Sequence, residues 1–239
     1  MNALQVFIMA LSLSPLCVMY FRSGRDWKGV LYDVLFWIVA ICGVLFALFG
    51  TDAKAETVPS SAARYRADLV RAAHTQWGLD APVAALAAQV HQESGWNPAA
   101  VSQVGAQGMA QFMPQTASWW CKLNSMSAAE CQPSNPVWAL RALVGYDFWL
   151  FERVTAHDEC SQIAFALSAY NGGLGWVNRD KSLASSSGLD PLTWFGSVER
   201  VNAGRTAANW RENRDYPRRI LTRITPVYAA AGWGQEVCK

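Results

Sequence analysis

Residues 80–98 read DAPVAALAAQVHQESGWNP, and the fold turns on this stretch. Its apolar stripe, Val83, Leu86, Ala87 and Val90, recurs at helical spacing, and the next positions on that face are Glu93 and Ser94. Asp80 ahead of an early Pro82 predicts a helix over 81–94 with Asp80 as its N-cap. Gly95 and Asn97-Pro98 break it. A carboxylate therefore continues a buried stripe at a helix end, beside a chain reversal. Desolvation disfavours the charged form of such a group and raises its pKa, as a general acid working near neutral pH requires. A glutamate hydrogen-bonded to a neighbouring loop would leave the same trace, so Glu93 alone does not define a site.

Outward from this helix the signals stay helical. Residues 64–77 are amphipathic and stop at Gly78; Asn135-Pro136 opens a helix over roughly 136–152. Residues 161–170 form another, ending on Asn171-Gly172-Gly173. The last begins at Tyr216 and is interrupted at Pro226. Alternating strand patterns are nearly absent, so the expectation is an all-α domain. Residues 177–209, rich in Ser, Gly and Asn, read as a long binding loop.

Three further segments carry chemistry. Residues 105–111 (GAQGMAQ) supply two glycines that let backbone approach a ligand, and the Gln111 amide to hydrogen-bond it. Residues 169–173 (AYNGG) set the Tyr170 hydroxyl and the Asn171 amide at a helix mouth, and residues 212–220 (ENRDYPRRI) open the last helix. A tight turn, a buried Tyr with a capping Asn, and a solvated charged turn are the plain alternatives for the three.

In this order, ESGWNPAAVS (93–102), GAQGMAQFMPQTA (105–117), AYNGG and ENRDYPRRI resemble the catalytic domain of the soluble lytic transglycosylase family, relatives of goose-type lysozyme, across roughly residues 63–230. The resemblance implies a lysozyme-like helical domain that cleaves the β-1,4 bond between N-acetylmuramic acid and N-acetylglucosamine in peptidoglycan, leaving 1,6-anhydromuramoyl ends. It implies that Glu93 is the single catalytic acid/base and that Ser94 orients the acid or the substrate. Gln111, Tyr170 and Asn171 would line sugar subsites, and Tyr216 would hydrogen-bond near Glu93. No cofactor, metal or nucleic acid is expected; glycan strands, the membrane, and secretion, conjugation or phage machinery are the candidate partners. Ordinary glycosidases flank the bond with two carboxylates. Glu212 is the one acid inside another motif, and a salt bridge to an arginine is expected of it. A lysozyme-type hydrolase, such as a phage endolysin, or a non-catalytic glycan-binding module would share much of this pattern. Two departures stand out: Met109-Ala110 for the more usual Leu-Met, and Pro217, whose tolerance in a first helical turn puts the helix start beside it.

Composition supplies the setting. The 239 residues are 52% hydrophobic and 16% charged, with a net charge of +2, which excludes extended disorder and a nucleic-acid groove built on bulk basicity. The apolar excess sits in residues 1–50, in runs over 3–21 and 30–50 separated by RSGRDWK. A membrane-spanning helix needs about 20 apolar residues, so the second run qualifies and the first is borderline. The positive-inside rule places the basic loop in the cytoplasm and exports the chain beyond Gly50. Residues 1–50 are thus a membrane anchor of one or two helices or, with Ala53-Lys54-Ala55 as a cleavage site, an export signal. Residues 51–62 read as a linker and 63–239 as the catalytic domain, inner membrane-anchored and periplasmic. Cys121, Cys131, Cys160 and Cys238 lie in the exported part, where disulfides are permitted. Of three pairings, 121–131 with 160–238 is preferred, because it closes a short excursion and ties down the C-terminus; zinc is the alternative. Among the tryptophans, Trp176 and Trp194 are the expected sugar platforms.

Overall fold

The computed structural model describes residues 56–238. Both apolar runs, Cys17, Cys42 and residues 51–55 of the expected linker lie outside them. Among the described residues no helix is long and apolar enough to cross a membrane.

Helix α1 (Ala62–Trp77) leads into α2 (Val83–Ser94), where every residue from Val83 to Val90 is buried. A helix buried all round belongs at the centre of a domain. The small alanines of α2 allow close approach on every side. It packs against α1, a π-helical segment (Ile220–Ile224) and α8 (Thr225–Ala230). A second buried helix, α5 (Glu159–Gly172), packs on α4 (Pro136–Phe151), α6 (Leu174–Ser186) and α7 (Ala207–Arg219). Helix α3 (Pro114–Leu123) follows an irregular segment with only isolated antiparallel bridges, Val101 to Gln107 and Gln107 to Phe112. No strand forms among the described residues, and the domain is all-helical.

Several local expectations hold. Asn135 Oδ1 caps α4 by accepting from the Val137 and Trp138 amides. The α5 helix ends at Gly173, where φ is 94°. Others are corrected. Asp80 is not the cap of α2: Pro82 takes that position with non-helical torsions, in a tight turn closed by Val83 N–H on the Ala81 carbonyl, so the helix starts at Val83. Residues 177–186 of the expected loop are helical, within α6. There the buried Asp180 pairs with Arg205 and Arg214, and tertiary bonding overrides weak propensity. The final helical region begins at Ala207, capped by Thr206, so Pro217 lies deep in α7. The helix widens into the π-helical segment just after it, and Thr225 Oγ1 donates to the Ile220 carbonyl at 2.8 Å. Two residues within the expected linker contact the helical domain: Glu56 pairs with Arg219, and Val58 packs on the core.

Both preferred disulfides form. Cys121–Cys131 closes the excursion after α3, and Cys160–Cys238 ties the start of α5 to the C-terminal tail across 78 residues. Cross-linking a loop that long removes unfolded-state entropy worth about 4 kcal/mol. Replacing Cys160 and Cys238 together by serine should lower unfolding stability by about 3–4 kcal/mol in urea titrations, while the shorter loop of Cys121–Cys131 makes its loss the smaller.

Candidate active site

Glu93 sits in the last turn of α2, which stops two residues later because Gly95 adopts the left-handed conformation and its N–H returns to the His91 carbonyl. The carboxyl is half-buried. Burial pushes its pKa from the usual 4.5 to about 7; the hydrogen bond from Tyr216 opposes this, and the charge of Glu212 adds to it. The negative end of the helix dipole acts in the same direction as burial. Tyr216 donates its hydroxyl to Glu93 Oε1. Burial also holds the Tyr216 proton in place, well above the ordinary tyrosine range, so Tyr216 is a fixed donor and Glu93 the titrating partner.

The glycine-glutamine segment is strapped against this carboxylate by two hydroxyls. Ser94 Oγ donates to the Met109 carbonyl at 2.9 Å, and Tyr170 donates to the Ala110 carbonyl at 2.7 Å. Gly108 is required there, because a Cβ would lie 2.0 Å from the Pro133 carbonyl oxygen and its φ is +73°. Gln111 itself has φ +48°, and its Nε2 is turned back onto the Gly108 and Ala100 carbonyls. The expected residues Glu93, Ser94, Gln111, Tyr170 and Tyr216 thus cluster around one loop. Ser94 makes no hydrogen bond to Glu93; it holds the loop.

Asn171 joins through Asn213, whose Nδ2 donates to Asn171 Oδ1 and to the Ser168 carbonyl, both at 2.9 Å. Arg214 Nη1 donates to Asn213 Oδ1 at 2.6 Å, and its Nη2 reaches Asp180 at 2.8 Å. Arg205 meets the same carboxylate oxygen. Sequence reading missed Asn213 and Asp180, which lock α5, α6 and α7 together close to Tyr216. No hydrophobic stripe marks them, since their importance rests on long-range pairing. Glu212 is exposed and makes no ion pair among the described residues, contrary to expectation; it acts on Glu93 only through its charge. Trp194 is fully buried, edge-on to Phe165, so it offers no sugar face. The half-buried Trp176 carries the Arg179 guanidinium 3.7 Å from its ring centre.

One turn before Glu93, the buried Gln89 donates Nε2 to Asp147 Oδ1 at 3.3 Å, while Asp147 Oδ2 and Gln89 Oε1 have no partner. Burial holds Asp147 well above the usual carboxylate range. The proton of a neutral Asp147 is a donor that can join those two oxygens and close the pair. A neutral Asp147 also leaves Glu93 free of a second buried charge beneath it. Among the described residues no group of three or more His, Cys, Asp or Glu could hold a metal ion.

Residues 68–191 match the transglycosylase SLT domain family, and the chain belongs to that family. Among curated proteins it is similar to the membrane-bound lytic murein transglycosylase F of Shewanella frigidimarina, 34% identical over 110 residues, which are 46% of this chain and 21% of that protein. The Shewanella loihica protein of the same name is 31% identical over 150 residues, covering 62% of this chain and 29% of that one. The chain spans about a fifth of the length of the first of these relatives. Of solved structures, the 70 kDa soluble lytic transglycosylase of Escherichia coli superposes with a TM-score of 0.51 at 22% identity, over 72% of this chain and 25% of that one. An inactive glutamate-to-glutamine mutant of the Pseudomonas aeruginosa lytic transglycosylase Slt gives 0.53 at 22% identity, over 88% and 30%. These establish the lysozyme-like transglycosylase fold.

The raised pKa of Glu93 couples its protonation to folding. The folded state binds this proton more tightly than the unfolded chain, so the stabilisation is complete below about pH 4.5 and is lost as pH rises through about 7. Glu93→Gln should therefore stabilise the protein by about 3 kcal/mol at pH 8 and leave its stability near pH 4.5 almost unchanged. Thermal unfolding of both proteins at the two pH values measures this.

Proposed function

We propose that this chain is a peptidoglycan lytic transglycosylase that cleaves the N-acetylmuramic acid–β-1,4–N-acetylglucosamine bond and leaves 1,6-anhydromuramoyl ends. The observation that carries the reading is the Glu93–Tyr216 pair: a half-buried carboxylate poised near pH 7 by burial, with a tyrosine that cannot take its proton. Protonated Glu93 donates to the glycosidic oxygen as the bond from C1 breaks. The muramoyl C6 hydroxyl then attacks C1, and its proton returns to Glu93, so the acid ends the cycle as it began. One group serves as acid and base because its pKa lies near the working pH. The donor from Tyr216 stabilises the carboxylate in the interval between the two transfers.

Gln111, Tyr170 and Asn171 line the sugar subsites in this proposal, with Ser94 keeping the loop in register beside Glu93. Residues 1–50 supply a membrane anchor or export signal, residues 51–55 the remaining linker, and the catalytic domain works in the periplasm. The names of its relatives, membrane-bound murein transglycosylases, and the two disulfides in the described domain support this. A hydrolase of the same fold is the second reading, favoured by the charge of Glu212 acting on Glu93, since a nearby carboxylate could activate water.

Digestion of purified peptidoglycan decides between them. The wild-type chain should release muropeptides one water lighter than hydrolysed ends, as mass spectrometry reads them. Glu93→Gln should reduce release by at least about a thousandfold while the protein stays folded. Products carrying reducing ends would establish the hydrolase, and undiminished release by Glu93→Gln would remove that residue from the chemistry.

A further inference from the structure

A groove of about 320 Å³ lies between α3 and α4, lined by Gln115, Thr116, Trp119, Tyr146, Trp149 and Leu174. None of these residues belongs to the set placed around Glu93. We infer that this groove is a further sugar-binding site, in which an N-acetylhexosamine ring of the bound glycan strand stacks on Trp119. The inference rests on the proposed glycan-cleaving function and extends it along the strand.

Trp119 is 39% exposed, unusual for so large an apolar side chain. Its ring is held in place by edge-to-face packing on Trp149, with centroids 5.2 Å apart, and on Tyr146, at 5.7 Å. A ring fixed before binding loses little freedom when a ligand stacks on it. Trp149 is less available, because the Arg153 guanidinium sits 3.8 Å from its centre. Gln115 and Thr116 add an uncharged amide and a hydroxyl at the groove edge. An apolar ring face beside neutral hydrogen-bonding groups matches a sugar, which presents C–H bonds on one face and hydroxyl or acetamido groups at its rim. A charged peptide would find no ion-pairing partner among these lining residues.

Position favours the strand as occupant. Gln115 and Thr116 continue the segment that contains Gln111, and Leu174 follows directly on Asn171-Gly172-Gly173. Tyr146 packs on Tyr170 at 5.3 Å, and Tyr170 holds the Ala110 carbonyl of the loop beside Glu93. The groove is thus bounded by the two motif segments that flank the carboxylate. A glycan strand held at Glu93 can extend along the same two segments to Trp119.

The test uses the full chain in detergent with Glu93→Gln, which prevents turnover, and chitotetraose, a β-1,4-linked tetramer of N-acetylglucosamine, as the probe. Titration should shift the Trp119 indole N–H resonance. Trp119→Ala should weaken binding by roughly tenfold in calorimetry, and Trp119→Phe, which keeps an aromatic face, should restore most of it. An unmoved Trp119 resonance with equal affinity across the three proteins would overturn the proposal. The resonance of the unsubstituted ring decides the matter even where Trp119→Ala does not fold. A chain that cleaves peptidoglycan yet shows a silent Trp119 loses the groove alone; a chain that cleaves nothing loses the reaction, and the titration still reports on sugar binding.

Discussion

The hydrogen bond from Tyr216 to Glu93 joins the two ends of the helical domain. Glu93 closes the second helix of the described region, and Tyr216 comes from the last part of the chain, 123 residues later. Holding a carboxylate where burial raises its pKa is costly, and only a surrounding structure that is rigid for other reasons can impose it. That rigidity comes from α2, buried along eight consecutive residues, and from the Asn213–Arg214–Asp180–Arg205 network that fixes the helix carrying Tyr216. Buried ion groups of this kind contribute little net stability, yet losing one partner leaves an uncompensated charge. Their worth here is in fixing the orientation of α7.

The same constraint accounts for irregularities along the chain. Pro217 would ordinarily break a helix at the point where Tyr216 must be presented. The helix nevertheless runs through Pro217 to Arg219 and passes into the π-helical turn over Ile220–Ile224, whose buried Ile220, Leu221 and Ile224 pack with α2. Gly108 lets the loop pass close to Pro133, Gln111 is left-handed, and hydroxyls from Ser94 and Tyr170 pin two successive carbonyls of the loop. Side chains that a sequence motif presents as sugar contacts thus also hold backbone. Removing the Tyr170 hydroxyl would loosen the loop as well as any contact it makes to substrate.

Periodicity carried the body and end of the central helix with its carboxylate, though not its N-cap, because the stripe Val83, Leu86, Ala87, Val90 and Glu93 reports burial directly. Asn135 and Gly173 were equally legible, since caps act within a few residues of themselves. What depended on distant partners was not. Asp180 pairs with residues 25 and 34 positions away, and it turns a Ser- and Asn-rich stretch into α6. The choice between Trp194, buried against Phe165, and Trp119, open on its groove, is invisible in composition, because each lies between a hydroxyl residue and another aromatic along the chain. The salt bridge expected of Glu212 failed for a like reason: the arginines beside it in sequence turn to Asp180, Glu199 and Glu56 instead.

The central claim is that packing around α2 and the donor from Tyr216 together set Glu93 near neutrality. Its carboxyl titration, followed by carbon NMR on the full chain with labelled glutamate and assigned by loss of the signal in Glu93→Gln, reads this directly. The account predicts a midpoint of about 7, rising further in Tyr216→Phe, where the bond that favours the charged form is gone. A midpoint near the ordinary 4.5, unmoved by that substitution, would contradict it.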